Sequence, residues 1–115
     1  MPRIEWQWKR LAGLAPAELY ALLAARAAVF VVEQQCAFLD LDGLDASAWH
    51  LLGWAGGDEA RTLAAYLRLI DPGCKYPEPS IGRVLTTAPY RFCDTVAERY
   101  DQQSAACCQW PRRAA

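Results

Sequence analysis

Arg26-Ala27-Ala28-Val29-Phe30-Val31-Val32-Glu33-Gln34 decides the reading of this chain, because its apolar period changes partway along the stretch. Upstream, Leu19, Leu22, Leu23 and Ala27 recur at helical spacing, and Val29 to Val32 then form a continuous apolar run. Glu33 and Gln34 follow directly, polar groups on the edge of what reads as core. A carboxylate delivered there by packed flanks is held in place, as a general base needs to be. The same residues also fit a helix end that carries a solvated glutamate. Both readings stand at this level.

Working outward, Ile4-Glu5-Trp6-Gln7-Trp8-Lys9 alternates apolar and polar side chains and predicts a half-buried strand. A helix starts around Leu14 to Glu18 and runs to about Ala28. Pro16 is tolerated in its first turn, and Glu18 sits at the positive end of its dipole. The segment 34–48 is polar, Asp-rich and turn-prone around Gly43. Trp49 to Ala55 reads as a strand closed by the turn signal Gly56-Gly57-Asp58. Thr62 to Ile70 alternates Leu63, Ala65, Leu67 and Leu69 against Tyr66 and Arg68, the second member of a hairpin. Ser80 to Thr87 is the last clear strand.

Composition bounds the function classes. The 115 residues allow one domain with one core. Hydrophobic residues at 54 % and charged ones at 22 % are those of a globular chain. Twelve Lys and Arg against thirteen Asp and Glu give a net charge of −1. Nucleic acid is therefore not expected as a partner, since neutralising phosphates requires a basic excess. No apolar stretch reaches membrane-spanning length, and the N-terminus lacks a signal peptide's apolar centre, so a cytoplasmic protein without membrane contact is expected. Five cysteines without a Cys-x-x-Cys pair, beside a single histidine, predict free thiols and no metal site.

Downstream of the opening stretch come Cys36-Ala-Phe38-Leu39-Asp40-Leu-Asp42-Gly43-Leu-Asp45, His50-Leu-Leu, Ala65-Tyr66-Leu67-Arg68-Leu69 and Ser80-Ile81-Gly82-Arg83-Val84. In that order and at those spacings the chain resembles the ElaA-type branch of the GNAT (Gcn5-related) N-acetyltransferases, from about Ile4 to Arg91. The resemblance implies an α/β fold: the N-terminal half of the GNAT acyl-CoA N-acyltransferase architecture, a mixed, mostly antiparallel sheet with flanking helices, incomplete at the C-terminus. Residues 1–91 would form this partial domain, and residues 92–115 a divergent, possibly helical tail. The implied activity is acetyl transfer from acetyl-CoA, the co-substrate, to an amine on a small molecule or a protein by direct attack. By position, the backbone of Val84, Leu85 and Thr86 would pair with pantetheine and polarise the thioester carbonyl, Arg91 would contact the pyrophosphate, and Glu33 would be the base. Two alternatives are a non-catalytic remnant or binding module and an acyl-homoserine-lactone-synthase-like acyltransferase, which shares an Arg-x-x-Val-Phe element.

The sequence departs from that family after the last strand. Where the family has a Gly-rich loop whose N–H groups turn onto pyrophosphate, this chain reads Arg91-Phe92-Cys93-Asp94-Thr95-Val96. Phe92, Asp94 and Val96 stand at the glycine positions, and Asp94 sets a carboxylate against an anion. Weak coenzyme A binding is expected, from a chain truncated or frameshifted after Arg91. The Ser80–Thr87 strand would then lie at a sheet edge and favour self-association.

Other residues admit less specific readings. His50, the lone imidazole, is expected to be structural. Asp40, Asp42 and Asp45 miss the EF-hand pattern, since Gly43 comes fourth after Asp40 is counted as first. They predict an acidic loop that attracts a cationic amine or is simply solvated. Arg68 and Arg83, flanked by apolar strand residues, sit on a solvated face or pair with an acid. Trp6, Trp8, Trp49 and Trp54 are expected in core and rim packing.

Overall fold

The computed structural model describes residues 3–56 and 61–91. Four strands, β1 (Ile4–Arg10), β2 (Ala48–Ala55), β3 (Thr62–Ile70) and β4 (Ser80–Thr86), form one sheet in the order β1-β2-β3-β4, every pair antiparallel. The strand bounds agree with the alternation in the sequence to within a residue or so. The central strands are more buried than alternation implies: every residue from Leu63 to Ile70 is buried, because both faces of β3 are covered.

Cross-strand pairs sort the two faces. Leu51 lies opposite Leu67 and joins Ile4, Ala55, Ala64 and Ala65 on one face. Leu52 lies opposite Tyr66 on the other, and there the helix α1 (Pro16–Arg26) packs through Leu22 with half-buried Leu19 and Leu23. Trp6 faces Gly53 across β1 and β2, where a Cβ would stand 2.8 Å from the indole ring. The glycine leaves room for the ring to cover it.

Pro16 occupies the first turn of α1, and Ala15 offers no side-chain oxygen to cap it. Glu18 supplies the cap instead, accepting from the Ala15 N–H at 2.8 Å. The residues of α1 that are buried, Glu18, Leu22 and Arg26, recur every fourth position. Both ends of this core-facing line are therefore charged. Glu18 is matched by Lys9 at 3.2 Å and Arg61 at 2.7 Å. Ala27, assigned to the apolar stripe by sequence, is exposed.

The change of period at Arg26 is a change of helix type, not a switch to a strand. Ala27–Glu33 forms a π-helical turn continuous with α1. Gln34 N–H donates to the Val29 carbonyl and Cys36 N–H to the Val31 carbonyl, both five residues back. Gln35, at φ 51°, closes the turn in the left-handed conformation, with its own N–H on the Val32 carbonyl. That pair of bonds is a Schellman stop. Three β-branched valines crowd this segment, and wide π turns are frequent at functional sites.

No helix among the described residues is long and apolar enough to cross a membrane. Cys36 and Cys74 are exposed free thiols. The glycine-less segment after Arg91, its helix expectation and part of the 56–58 turn lie outside the described residues.

Candidate active site

The π turn and β4 converge on an open cleft of about 480 Å³. Val29, Glu33 and Gln34 form one wall, Val84, Leu85 and Thr86 the other, and Arg91 bonds to both. All five residues singled out by sequence (Glu33, Val84, Leu85, Thr86 and Arg91) thus meet in one place.

On the β4 wall the ladder with β3 is interrupted. Arg68 pairs with Gly82 and Tyr66 with Leu85, so Arg83 and Val84 together oppose Leu67. This is a bulge, which bends the strand and re-aims the residues that follow it. Among the described residues β4 is an edge strand, so alternate backbone groups point away from β3 towards the cleft side.

On the other wall Glu33 is not held at the core edge by packed flanks, as its sequence neighbours suggest. It is exposed at the end of the π turn, and Arg91 holds it instead. Arg91 Nη1 donates to Glu33 Oε1 at 2.6 Å and Nη2 to Oε2 at 2.5 Å, while Nε donates to the Thr86 carbonyl at 3.2 Å. The fork-to-carboxylate bonds from Arg91 hold the Glu33 carboxyl below its ordinary range. In this state Glu33 is a weaker base than an unpaired glutamate, and Arg91 already carries a counter-ion.

A charge network centred on Asp40, Asp42 and Asp45 joins α1, β3 and β4, and its buried Arg26 was not singled out from the sequence. Arg26, fully buried, donates from Nε to Asp40 Oδ2 at 2.9 Å, from Nη2 to the Asp40 carbonyl at 3.0 Å and from Nη1 to Asp45 Oδ1 at 2.6 Å. Arg68, 1 % exposed, forks onto Asp42 at 2.8 Å for both bonds and reaches Asp45 at 3.1 Å. Arg83 donates from Nε to Asp40 Oδ1 at 2.8 Å. Of the two options open for Arg68 and Arg83, pairing with an acid is the one found.

The acidic loop is corrected accordingly. Asp40 and Asp45 are buried while Asp42 and much of the surrounding loop stay exposed, and the chain's own arginines pair with all three carboxylates, so these aspartates are neither simply solvated nor open to a cationic amine. Hydrogen bonds from Arg68 hold Asp42 well below the usual carboxylate range. Burial opposes ionisation of Asp45, but Arg26 and Arg68 outweigh it and its pKa is lowered too. No group of three or more His, Cys, Asp or Glu side chains among the described residues is placed to hold a metal.

His50 completes this network rather than the cleft. It is buried, with Nε2 2.9 Å from the Asp45 carbonyl and Nδ1 2.5 Å from the Tyr66 hydroxyl. A carbonyl only accepts, so Nε2 carries the proton, and Tyr66 donates to Nδ1. Desolvation pushes the imidazole pKa down, which keeps the ring neutral.

The chain matches no family model. It is 47 % identical over 88 residues to the UPF0039 protein sll0451 of Synechocystis sp., covering 76 % of this chain and 55 % of that relative. The chain thus spans about half the length of that protein. It is 36 % identical over 112 residues to Protein ElaA of Escherichia coli, covering 94 % of this chain and 70 % of ElaA. Among solved structures, an acyl-CoA N-acyltransferase from Pseudomonas aeruginosa superposes with a TM-score of 0.80 at 36 % identity, over 93 % of this chain and 70 % of that one. The crystal structure of E. coli ElaA gives 0.80 at 35 % identity, over 95 % and 73 %. With identity of this level spread over most of ElaA, and the four-stranded sheet and helix matched in space, the chain belongs to the ElaA-type branch of the GNAT acyl-CoA N-acyltransferase family.

Proposed function

We propose that the chain carries the acyl-donor side of an N-acetyltransferase, transferring acetyl from acetyl-CoA to an amine of a small molecule or a protein in the cytoplasm. The observation that carries this reading is the convergence of Glu33, the bulged Val84–Thr86 segment and Arg91 on one cleft. In the reaction the amine nitrogen attacks the thioester carbonyl carbon, a C–N bond forms, the C–S bond breaks and coenzyme A leaves as thiolate. Backbone groups of Val84, Leu85 and Thr86 would hold pantetheine and polarise the carbonyl. Glu33, directly or through water, would take the proton from the substrate ammonium and so free the nitrogen lone pair that attacks.

For that step the Glu33–Arg91 pair has to open. A phosphate arriving at Arg91 competes for the same guanidinium fork and would release the carboxylate as the donor binds. Exposed pairs of this kind are held weakly, so the exchange is feasible. Binding itself is expected to be weak, because side chains replace the glycines after Arg91 and Asp94 is acidic. We expect a dissociation constant no tighter than roughly millimolar, which at micromolar ligand leaves the melting temperature unchanged.

A second reading is a non-catalytic binding module of the same family. What favours it is the resting state of Glu33, neutralised by Arg91 and held below the ordinary carboxylate range. Thiol release from acetyl-CoA with a panel of amines separates the two. The enzyme reading expects turnover that Glu33→Gln lowers about a hundredfold while the fold persists. Turnover by a folded Glu33→Gln variant at the parent rate removes Glu33 from the mechanism, and no turnover with any amine leaves the binding module.

A further inference from the structure

Arg83 stands in a conformation that costs it free energy. Its φ of 52° lies in the left-handed region, which residues with a Cβ rarely adopt and which glycine takes freely. Gly82, immediately before it, does not use this freedom. At the equivalent position of many bulges the residue is glycine. In this chain the residue is arginine, and its side-chain contacts offset the strain of the backbone.

What the side chain does is reach Asp40. Nε meets Asp40 Oδ1 at 2.8 Å and Nη2 meets the Asp40 carbonyl at 3.1 Å, with Phe38 of the same loop 5.5 Å from the guanidinium carbon. The other carboxylate oxygen of Asp40 belongs to Arg26, and Arg26 also takes the Asp40 carbonyl. Asp40 is therefore shared between two arginines from different elements. Arg26 is the last residue of α1 and lies three residues before Val29, where one wall of the cleft begins. Arg83 lies one residue before Val84, where the other wall begins. One nearly buried carboxylate, 9 % exposed, joins the roots of both walls.

We propose that Asp40, bridging Arg26 and Arg83, is a positioning clamp that sets the spacing between the π-turn wall and the β4 wall of the cleft. Its use as an acyl-donor clamp rests on the function proposed above; its effect on the walls does not. Each guanidinium binds through more than one N–H, and such forked contacts fix direction as well as distance. Arg83 Nη2 also reaches Asp42 Oδ2 at a longer 3.5 Å, and Arg91 ties Glu33 to the Thr86 carbonyl at the exposed rims of the walls, so Asp40 is the buried, direct link between their roots.

Arg83→Gly and Asp40→Asn test this in the full chain, read by amide hydrogen exchange, thermal melting and calorimetry with acetyl-CoA. Arg83→Gly removes the clamp and the backbone strain together, so its melting temperature should stay close to that of the parent. Exchange at the amides of Val84, Leu85 and Thr86 should nonetheless accelerate about tenfold or more, with Leu51, Leu52 and Leu67 unchanged. Asp40→Asn should loosen both walls, adding faster exchange at Gln34 and Cys36. Where the parent binds acetyl-CoA, Arg83→Gly should weaken binding about tenfold without a matching loss of stability, a split that a purely structural role would not give. Unchanged exchange at Val84–Thr86 in Arg83→Gly overturns the clamp whatever the ligand does, including in the event that Asp40→Asn fails to fold. Altered exchange in a chain whose parent binds no acetyl-CoA, even with the ligand well above millimolar, keeps the clamp and sinks the proposed function.

Discussion

Replacing Asp45 by Asn should destabilise the chain more than any surface charge change. Asp45 accepts from Arg26 at 2.6 Å and from Arg68 at 3.1 Å, and those arginines are 0 % and 1 % exposed. The network balances three arginines (Arg26, Arg68, Arg83) against three aspartates (Asp40, Asp42, Asp45). Asp45→Asn leaves it with one buried positive charge in excess. Removing one partner of a buried pair costs about 3–5 kcal/mol. Here the lower end applies, because Arg26 keeps Asp40, Arg68 keeps its fork on Asp42, and Asn still offers one neutral acceptor. A loss of about 3 kcal/mol in a chain of this size lowers the melting temperature by roughly 10 °C or more. The control is Asp71→Asn, which removes the Arg10–Asp71 pair at 35 % and 29 % side-chain exposure. Such pairs contribute at most about 1 kcal/mol. Circular dichroism melts at neutral pH decide the matter: an Asp45→Asn shift no larger than that of Asp71→Asn would refute the argument that burial makes this network strong.

Acid should act first through His50. Its folded pKa is depressed below the unfolded value near 6.5, so the unfolded chain binds more protons and stability falls as pH drops below about 6.5. The aspartates, also depressed, add their loss only below about pH 4. Urea titrations between pH 7.5 and 5 should show the first loss, and His50→Gln should flatten it; a pH-independent midpoint in the parent contradicts the neutral, buried imidazole. Gly53→Ala drives a Cβ to within 2.8 Å of the Trp6 ring and should cost about 1–3 kcal/mol, read by the same melts. Self-association through β4, an edge strand of the described sheet that exposes Ile81 and Val84, should give concentration-dependent light scattering. A monodisperse monomer at high concentration would mean that edge is covered.

The cleft was legible unevenly. Glu33, Val84, Leu85, Thr86 and Arg91 came from positions matched to the resembling family, and their meeting in one cleft is visible only in the folded sheet. That Glu33 and Arg91 would find each other was not legible, because 58 residues separate them. The Arg26–Asp40–Arg83 link was hidden for the same reason, its partners lying 14 and 43 residues apart. One signal was present: Arg26 and Arg68 each interrupt an apolar run, and a buried guanidinium requires a carboxylate. The three aspartates of 40–45 were the nearest supply.

Local chemistry alone determined the strands, the helix start at Pro16 and the change of period after Arg26, since side-chain alternation, capping and β-branching act between near neighbours in the chain. Tertiary structure decided what those elements do to charge. Whether an aspartate is solvated or buried against an arginine depends on which strands lie side by side and where the ladder skips a residue. The bulge at Arg83 and the π turn after Arg26 place these arginines, and electrostatic pairing with them tied an acidic loop to both elements that wall the cleft.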